Sequence, residues 1–312
     1  MVLSKFLDPK NDLAFKRIFG TERNQDILIH FLNDIFAGHT SPVEKVTFLK
    51  SAQEPEISSQ RVSIVDVLCQ AANGDRFIVE MQVLHEPGFE KRAQYYAAKA
   101  YIGQRQKDQK YKDLKQVIFL AITDFTLFPK KTEYLSYHHM LDIQTHERDL
   151  KDFSFSFLEL PKFKKNINQL KTVVEKWAYF FKNAQETSDK DLRKIAGKDL
   201  IIERAYNELD RYSWTSEELH NYDSIDMKRF ADMAIFEGAL LEGLAEGEKK
   251  GLAEGEKKGQ LNIARNLIRK KYGIDAIMDI TGLSVEQVEA IEVEESKNEK
   301  RGHLIDKPEP KQ

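Results

Sequence analysis

Two apolar runs decide the fold: Arg61-Val62-Ser63-Ile64-Val65-Asp66-Val67-Leu68-Cys69-Gln70-Ala71 and Arg76-Phe77-Ile78-Val79-Glu80-Met81-Gln82-Val83, separated by a polar turn containing Asn73-Gly74. β-Branched and aromatic residues around Asn-Gly read as an antiparallel β-hairpin. Each strand carries one acid among apolar neighbours, Asp66 in the first and Glu80 in the second. Burying a carboxylate there is unfavourable unless it is paired or holds a cation. Glu80 and Gln82 are two apart and leave the same face of the sheet. The position of Asp66 depends on the turn. A two-residue Asn73-Gly74 loop sets it opposite Met81, on the wrong face for Glu80. A three-residue Ala72-Asn73-Gly74 loop, with Gly74 left-handed, sets it opposite Glu80. Acids facing each other repel unless a divalent ion lies between them. Hard oxygen ligands without histidine or thiolate favour Mg²⁺ or Mn²⁺ over zinc. The alternative is that backbone groups or Arg61 satisfy both acids.

Outward from the hairpin, Phe15, Ile18 and Phe19 fall at helical spacing, and a second apolar helix spans Ile27 to Phe36. Val43 to Leu49 reads as a strand, Phe89 to about Lys107 as a long helix, and Gln116 to Thr123 as an apolar strand. Further strands are expected before Pro161, with Phe153-Ser-Phe-Ser-Phe alternating most clearly. This order predicts an α/β fold, a mixed sheet flanked by helices, followed by an all-helical C-terminal region. We expect a core over residues 1–164, a helical region over 165–240, a repeat over 241–260 and a small helical tail over 261–312.

The repeat is GLAEGEKK in tandem, Gly243–Lys250 and Gly251–Lys258, with glycine at every fourth position through Gly259. Five helical glycines cost about 4–5 kcal/mol relative to alanine, and Glu–Lys pairs return about 0.2–0.5 kcal/mol each. The segment is therefore expected to be a linker, a marginal helix or an oligomerisation helix. In the tail, Ser284 and Gln287 form a capping box. Its last helix carries Glu286, Glu289, Glu292, Glu294 and Glu295, which argues against a DNA-reading helix because such a face repels phosphate. Beyond Ser296 the composition predicts disorder.

The 312 residues hold 48 Lys+Arg against 51 Asp+Glu, a net charge of −3, and 41% are hydrophobic. These values exclude wholesale disorder and a polybasic binder. A single cysteine, Cys69, excludes an intramolecular disulfide and a cysteine-based zinc site. Its alternation places it on the face opposite Asp66. Lys5, Asp8 and Pro9 interrupt the start, so no signal peptide is expected, and the reading is a cytoplasmic protein without a membrane span.

Asp12-Leu-Ala-Phe15-Lys16-x-x-Phe19, Ser63-x-x-Asp66-Val67, Val79-Glu80-Met81-Gln82 and Tyr95-Tyr96 together resemble the Rpn family. These are bacterial recombination-promoting, transposase-like nucleases of the PD-(D/E)XK superfamily. The resemblance implies a restriction-endonuclease-like core that cleaves DNA with Mg²⁺ and acts in recombination or with mobile elements. It makes Asp66 and Glu80 the metal-holding acids and puts Gln82 where the wider superfamily usually has lysine. Asp12 is a further candidate ligand, although an acid in the first turn of a helix is also favoured by the helix dipole. From Lys91 to Lys115, eight basic residues face only Asp108 and Asp113, a local balance of +6. Lys91, Arg92 and Lys99 in this stretch, together with Lys16, are candidate DNA contacts. Tyr95, Tyr96 and Tyr101, at helical spacing, read as core. The competing reading is a DNA-binding or oligomerisation protein that keeps the fold without efficient catalysis.

Overall fold

The computed structural model describes residues 4–53, 63–104 and 110–305. Arg61, Val62, Lys107 and Asp108 from the readings above lie outside them. Two compact units emerge, residues 1–231 and 232–312, with the division falling inside one long helix.

In the first unit, helices α1 (Asp12–Phe19) and α2 (Gln25–Ile35) precede strands β1 (Val46–Phe48), β2 (Ala52–Gln53), β3 (Ser63–Ile64), β4 (Val67–Ala71) and β5 (Arg76–Gln82). Helix α3 (Phe89–Ile102), strands β6 (Val117–Thr123), β7 (Leu135–His139) and β8 (Phe153–Glu159), and helices α4 (Val173–Asn183), α5 (Asp189–Ala196) and α6 (Leu200–Glu208) follow. The main sheet has the order β1-β4-β5-β6-β8-β7. Its centre, β5-β6-β8, is parallel, and the flanking pairs are antiparallel. Central β6, Val-Ile-Phe-Leu-Ala-Ile-Thr, is buried along its whole length, as expected of a parallel strand covered on both faces.

Alternation along the strands sorts side chains into two cores. Phe77, Val79 and Met81 of β5 and Ile118, Leu120 and Ile122 of β6 join Phe15, Phe19, Phe31, Trp177 and Phe181 from α1, α2 and α4. The opposite face packs Leu68, Ile78, Phe119 and Ala121 under α3 through Phe89, Ala93, Ala97 and Ala100. Three alanines let α3 lie close to the sheet. The helices α4 to α6 share the first core, with Ile202 and Tyr206 buried beside Phe180 and Phe6.

The sequence expectations need four adjustments. The first hairpin strand is not continuous: β3 and β4 are separated at Val65 and Asp66, because Val65 N–H turns to the Ser51 carbonyl and Asp66 N–H to a side chain. Helix α3 stops at Ile102, earlier than expected, where the Gly103 N–H closes onto the Lys99 carbonyl. Tyr95 is exposed rather than core, whereas Tyr96 and Tyr101 pack against the α3 face. The last helix continues through Ser296, where disorder was expected, to Ile305.

The second unit takes in the C-terminal part of α7 (Ser216–Arg269), then α8 (Ile274–Thr281) and α9 (Val285–Ile305). Ala264, Ile277, Leu283, Val288 and Ile291 form its small core. The expected capping box is present, with Ser284 N–H donating to Gln287 Oε1 at 2.9 Å and Gln287 N–H to Ser284 Oγ at 3.4 Å. The octapeptide repeat is helical throughout. Its flanks already supply helical turns, so each repeat residue adds to an existing helix and bears no nucleation cost.

Candidate active site

The turn decides the register. Val67 pairs with Val79 and Gln70 with Arg76, and Ala71 N–H bonds the Asp75 carbonyl at 2.8 Å. Three residues, Ala72-Asn73-Gly74, therefore form the loop. Gly74 sits at φ +94°, a left-handed conformation natural to glycine. A Cβ there would also stand 2.9 Å from Lys115 Cγ. This is the register that brings Asp66 beside Glu80.

Each acid accepts a backbone N–H from the other acid's strand segment, Glu80 from Asp66 itself and Asp66 from Met81, the residue after Glu80. Asp66 N–H donates to Glu80 Oε1 at 3.1 Å, and Met81 N–H donates to Asp66 Oδ2 at 2.9 Å. Glu80, only 3% exposed, lies with Gln82 on the α3 face by strand alternation. Gln82 Nε2 donates to Glu80 Oε2 at 3.0 Å. From α3, Arg92 donates from one guanidinium nitrogen to Gln82 Oε1 at 2.5 Å and from another to Glu86. Gly88, at φ +83°, provides the left-handed entry to α3 and so fixes where Arg92 begins its approach.

Helix α1 supplies the remaining charges. Asn11 caps it, its side chain accepting from Leu13 N–H at 3.0 Å. Lys16 Nζ lies 2.8 Å from Asp12 Oδ1 and 3.9 Å from Asp66 Oδ1. Asp12 thus engages Lys16. Among the described residues no three His, Cys, Asp or Glu side chains gather as a metal-holding group. Lys91 is exposed on α3, and Lys99 Nζ lies 5.9 Å from the centre of the Tyr95 ring.

Electrostatics single out the acid pair. Burial pushes the Asp66 carboxyl up to about 6, the charge of Asp12 adding to it and the Met81 N–H and Lys16 opposing it. Glu80 rises further, to about 8, through burial first and the charge of Asp66 second. The Asp66 N–H, Arg92 and Gln82 pull the other way. Backbone donors therefore satisfy part of each carboxylate, but the pair keeps a deficit of positive charge. Tyr96, one turn beyond Arg92, is raised by burial and feels Glu80, Glu86 and Asp66. It packs against the α3-face core, as the sequence reading expected, and also borders the site. The signal for it was its i+4 spacing from Arg92.

The donor set fits a hard divalent ion. Mg²⁺ is commonly held by one or two carboxylates, with water and phosphate completing its shell. Asp66 and Glu80 offer that number, and among the described residues Asp66 Oδ1 has only the Lys16 ammonium, 3.9 Å away, as a cationic partner. Cys69 is buried, lies in the opposite core and plays no part here.

The model of the PD-(D/E)XK nuclease family transposases matches residues 9–236. The chain belongs to this family. The match takes in the sheet, α3 and the helices through α6, and so contains Asp12, Lys16, Asp66, Glu80, Gln82 and Arg92. No curated protein and no solved structure matches the chain. A nuclease linked to mobile elements is thus the family's activity, carried on a mixed six-stranded sheet. Among the described residues no helix is long and apolar enough to cross a membrane.

Proposed function

We propose that this family member is a Mg²⁺-dependent DNA endonuclease, with Mn²⁺ as an alternative ion, of low sequence specificity, acting in DNA recombination or mobile-element movement in the bacterial cytoplasm. The observation that carries the reading is the pair of backbone hydrogen bonds, from Asp66 N–H to Glu80 and from Met81 N–H to Asp66, which hold a buried Glu80 beside a half-buried Asp66, the two short of positive charge. Two carboxylates kept in such surroundings are destabilising unless a cation belongs there.

In this reading Asp66 and Glu80 hold the ion. When bound, it supplies Lewis-acid polarisation of the phosphodiester and makes water a better nucleophile at neutral pH. Gln82 orients the attacking water by hydrogen bonding. Asp12 holds Lys16 beside Asp66, where the ammonium would face an incoming phosphate, and Asp12 is the further acid that would help hold the ion. Exposed Lys91 extends the phosphate-binding surface, with Lys99 further along α3. Arg92 reaches the same surface from the first turns of the helix. The DNA contacts are thus electrostatic and independent of base sequence.

The test is supercoiled plasmid incubated with purified protein and Mg²⁺ or Mn²⁺, beside Asp66→Ala and Glu80→Ala. Nicking by wild type that both variants lose supports the reading. A second reading, a DNA-binding module without efficient catalysis, is favoured by the uncharged Gln82 and by the ammonium of Lys16 near Asp66. It predicts a plasmid shifted on a gel yet equally intact with all three proteins. Self-association through α7 belongs to the proposal as well: Ile235, Leu240, Leu241, Leu244 and Leu252 are exposed on it.

A further inference from the structure

Gln82 occupies an unusual place among the site's polar groups, because both ends of its amide are assigned. A guanidinium can only donate hydrogen bonds. Arg92, reaching Gln82 at 2.5 Å, must therefore meet the amide oxygen. The nitrogen then faces Glu80 Oε2 at 3.0 Å. The usual ambiguity of an amide's orientation is removed by chemistry on both sides. Arg92 is itself fixed, its guanidinium held by Glu86 and lying 5.1 Å from the centre of the Phe89 ring.

Two consequences follow for chemistry at Glu80. The Gln82 nitrogen carries two hydrogens, and one is engaged by Glu80. The other can donate to an oxygen beside the acid pair, whereas the amide oxygen, held by Arg92, is turned away from accepting a proton there. Gln82 in this setting stabilises an oxygen that is gaining negative charge and cannot act as a base. The amide is also polarised from behind by a full positive charge, which strengthens its N–H as a donor. A lysine side chain would combine donor and charge in one group; here the donor is Gln82 and the charge is Arg92.

We propose that Arg92 is a positioning residue that locks the Gln82 amide as a hydrogen-bond donor beside Glu80, so that Arg92 and Gln82 together perform the task of a single lysine. The inference deepens the nuclease reading and rests on it for its catalytic part, while the lock itself is a property of the protein without DNA or ion. Tyr96 packs one turn away and Ala93 sets the close approach of α3, so the lock depends on how the helix seats on the sheet.

The experiment compares wild type, Arg92→Met, Arg92→Lys and the double variant Gln82→Lys/Arg92→Met, each checked for an unchanged unfolding temperature. The first readout is the side-chain NH₂ resonance pair of Gln82 by ¹⁵N NMR, assigned through Gln82→Lys. In wild type the pair is shifted from free glutamine and its two protons are well separated. In Arg92→Met it moves toward the free position. The second readout is plasmid nicking with Mg²⁺ or Mn²⁺. Arg92→Met slows it by about 10–100-fold, the usual range for groups that orient a metal-site residue. Arg92→Lys, which keeps charge but loses the planar grip, falls between. The double variant, with donor and charge rejoined, recovers most of the loss.

An Arg92→Met protein with wild-type nicking, or a double variant as slow as the single one, overturns the lysine-equivalent role. An unchanged Gln82 resonance in Arg92→Met overturns the lock. If wild type itself fails to nick with either ion, the nuclease reading fails and the catalytic role with it. The resonance then still decides the lock independently.

Discussion

The β4–β5 hairpin withdraws an acid pair from water, Glu80 fully and the adjoining Asp66 in part, whereas the repeat in α7 does the reverse, presenting Leu244 and Leu252 to solvent and leaving its glycines with nothing nearby. Both regions oppose local stability, and they do so through different physics. In the hairpin the cost is desolvation and like-charge repulsion, which a bound cation would reverse. In the repeat it is backbone entropy and exposed apolar surface, which only a covering surface would offset. The contrast separates a site for an ion from a surface for assembly, and each half can be tested without disturbing the other.

The largest effect is expected at the hairpin. Asp66→Asn and Glu80→Gln should each lower divalent-dependent nicking by at least about 100-fold, beyond the loss typical of residues that only orient metal ligands. Neither should unfold the protein, since each replaces a repelled carboxylate by an isosteric amide. A variant that loses its fold rather than its activity would move these acids from chemistry to structure.

The same pair sets a pH dependence whose sign is opposite to that of ordinary surface carboxylates. Both acids titrate above their usual range in the folded chain, so the folded state holds protons that the unfolded state has already released. In ion-free buffer, the stabilisation tied to this pair is complete below about pH 4, near the unfolded values. It declines as pH rises through about 6 to 8. Denaturation across this range should show the decline in wild type and a shallower one in Glu80→Gln. Adding Mg²⁺ should restore stability most strongly at the upper end, because the ion binds the ionised pair.

Smaller effects belong to the repeat. Gly251→Ala should stabilise helical structure in the second unit by about 1 kcal/mol, because nothing lies within 4 Å of where its Cβ would stand. Nicking should be unaffected. Loss of stability or of oligomer mass instead would show that another chain packs against the glycines. If α7 mediates assembly, Leu241→Lys/Leu244→Lys should lower the mass measured by light scattering, and an unchanged mass would withdraw that surface from the account.

Much of this contrast was legible before any coordinates. Period-two alternation around Asn73-Gly74 gave the hairpin, and the apolar company of Asp66 and Glu80 marked them as costly. The register was not legible, because it turned on one residue of loop length, settled by the left-handed Gly74. Nor was the break at Asp66, since Ser63 to Leu68 has the composition of an unbroken strand. Arg92 stood in a charge run that reads equally well as a solvated face, and only the close seating of α3 turns it toward Gln82. In α7 the glycine count pointed to a marginal helix, because propensity sums do not register the helical turns on either side. The family match adds the nuclease family of the chain as a whole.

The most direct test of the central claim is calorimetric titration of the ion-free protein with Mn²⁺ near neutral pH, in wild type, Asp66→Asn and Glu80→Gln. The account predicts saturable binding at the acid pair in wild type, with protons released as the ion enters, and loss of that binding in both variants. Equal binding by all three proteins, or no saturable binding by wild type, would contradict it.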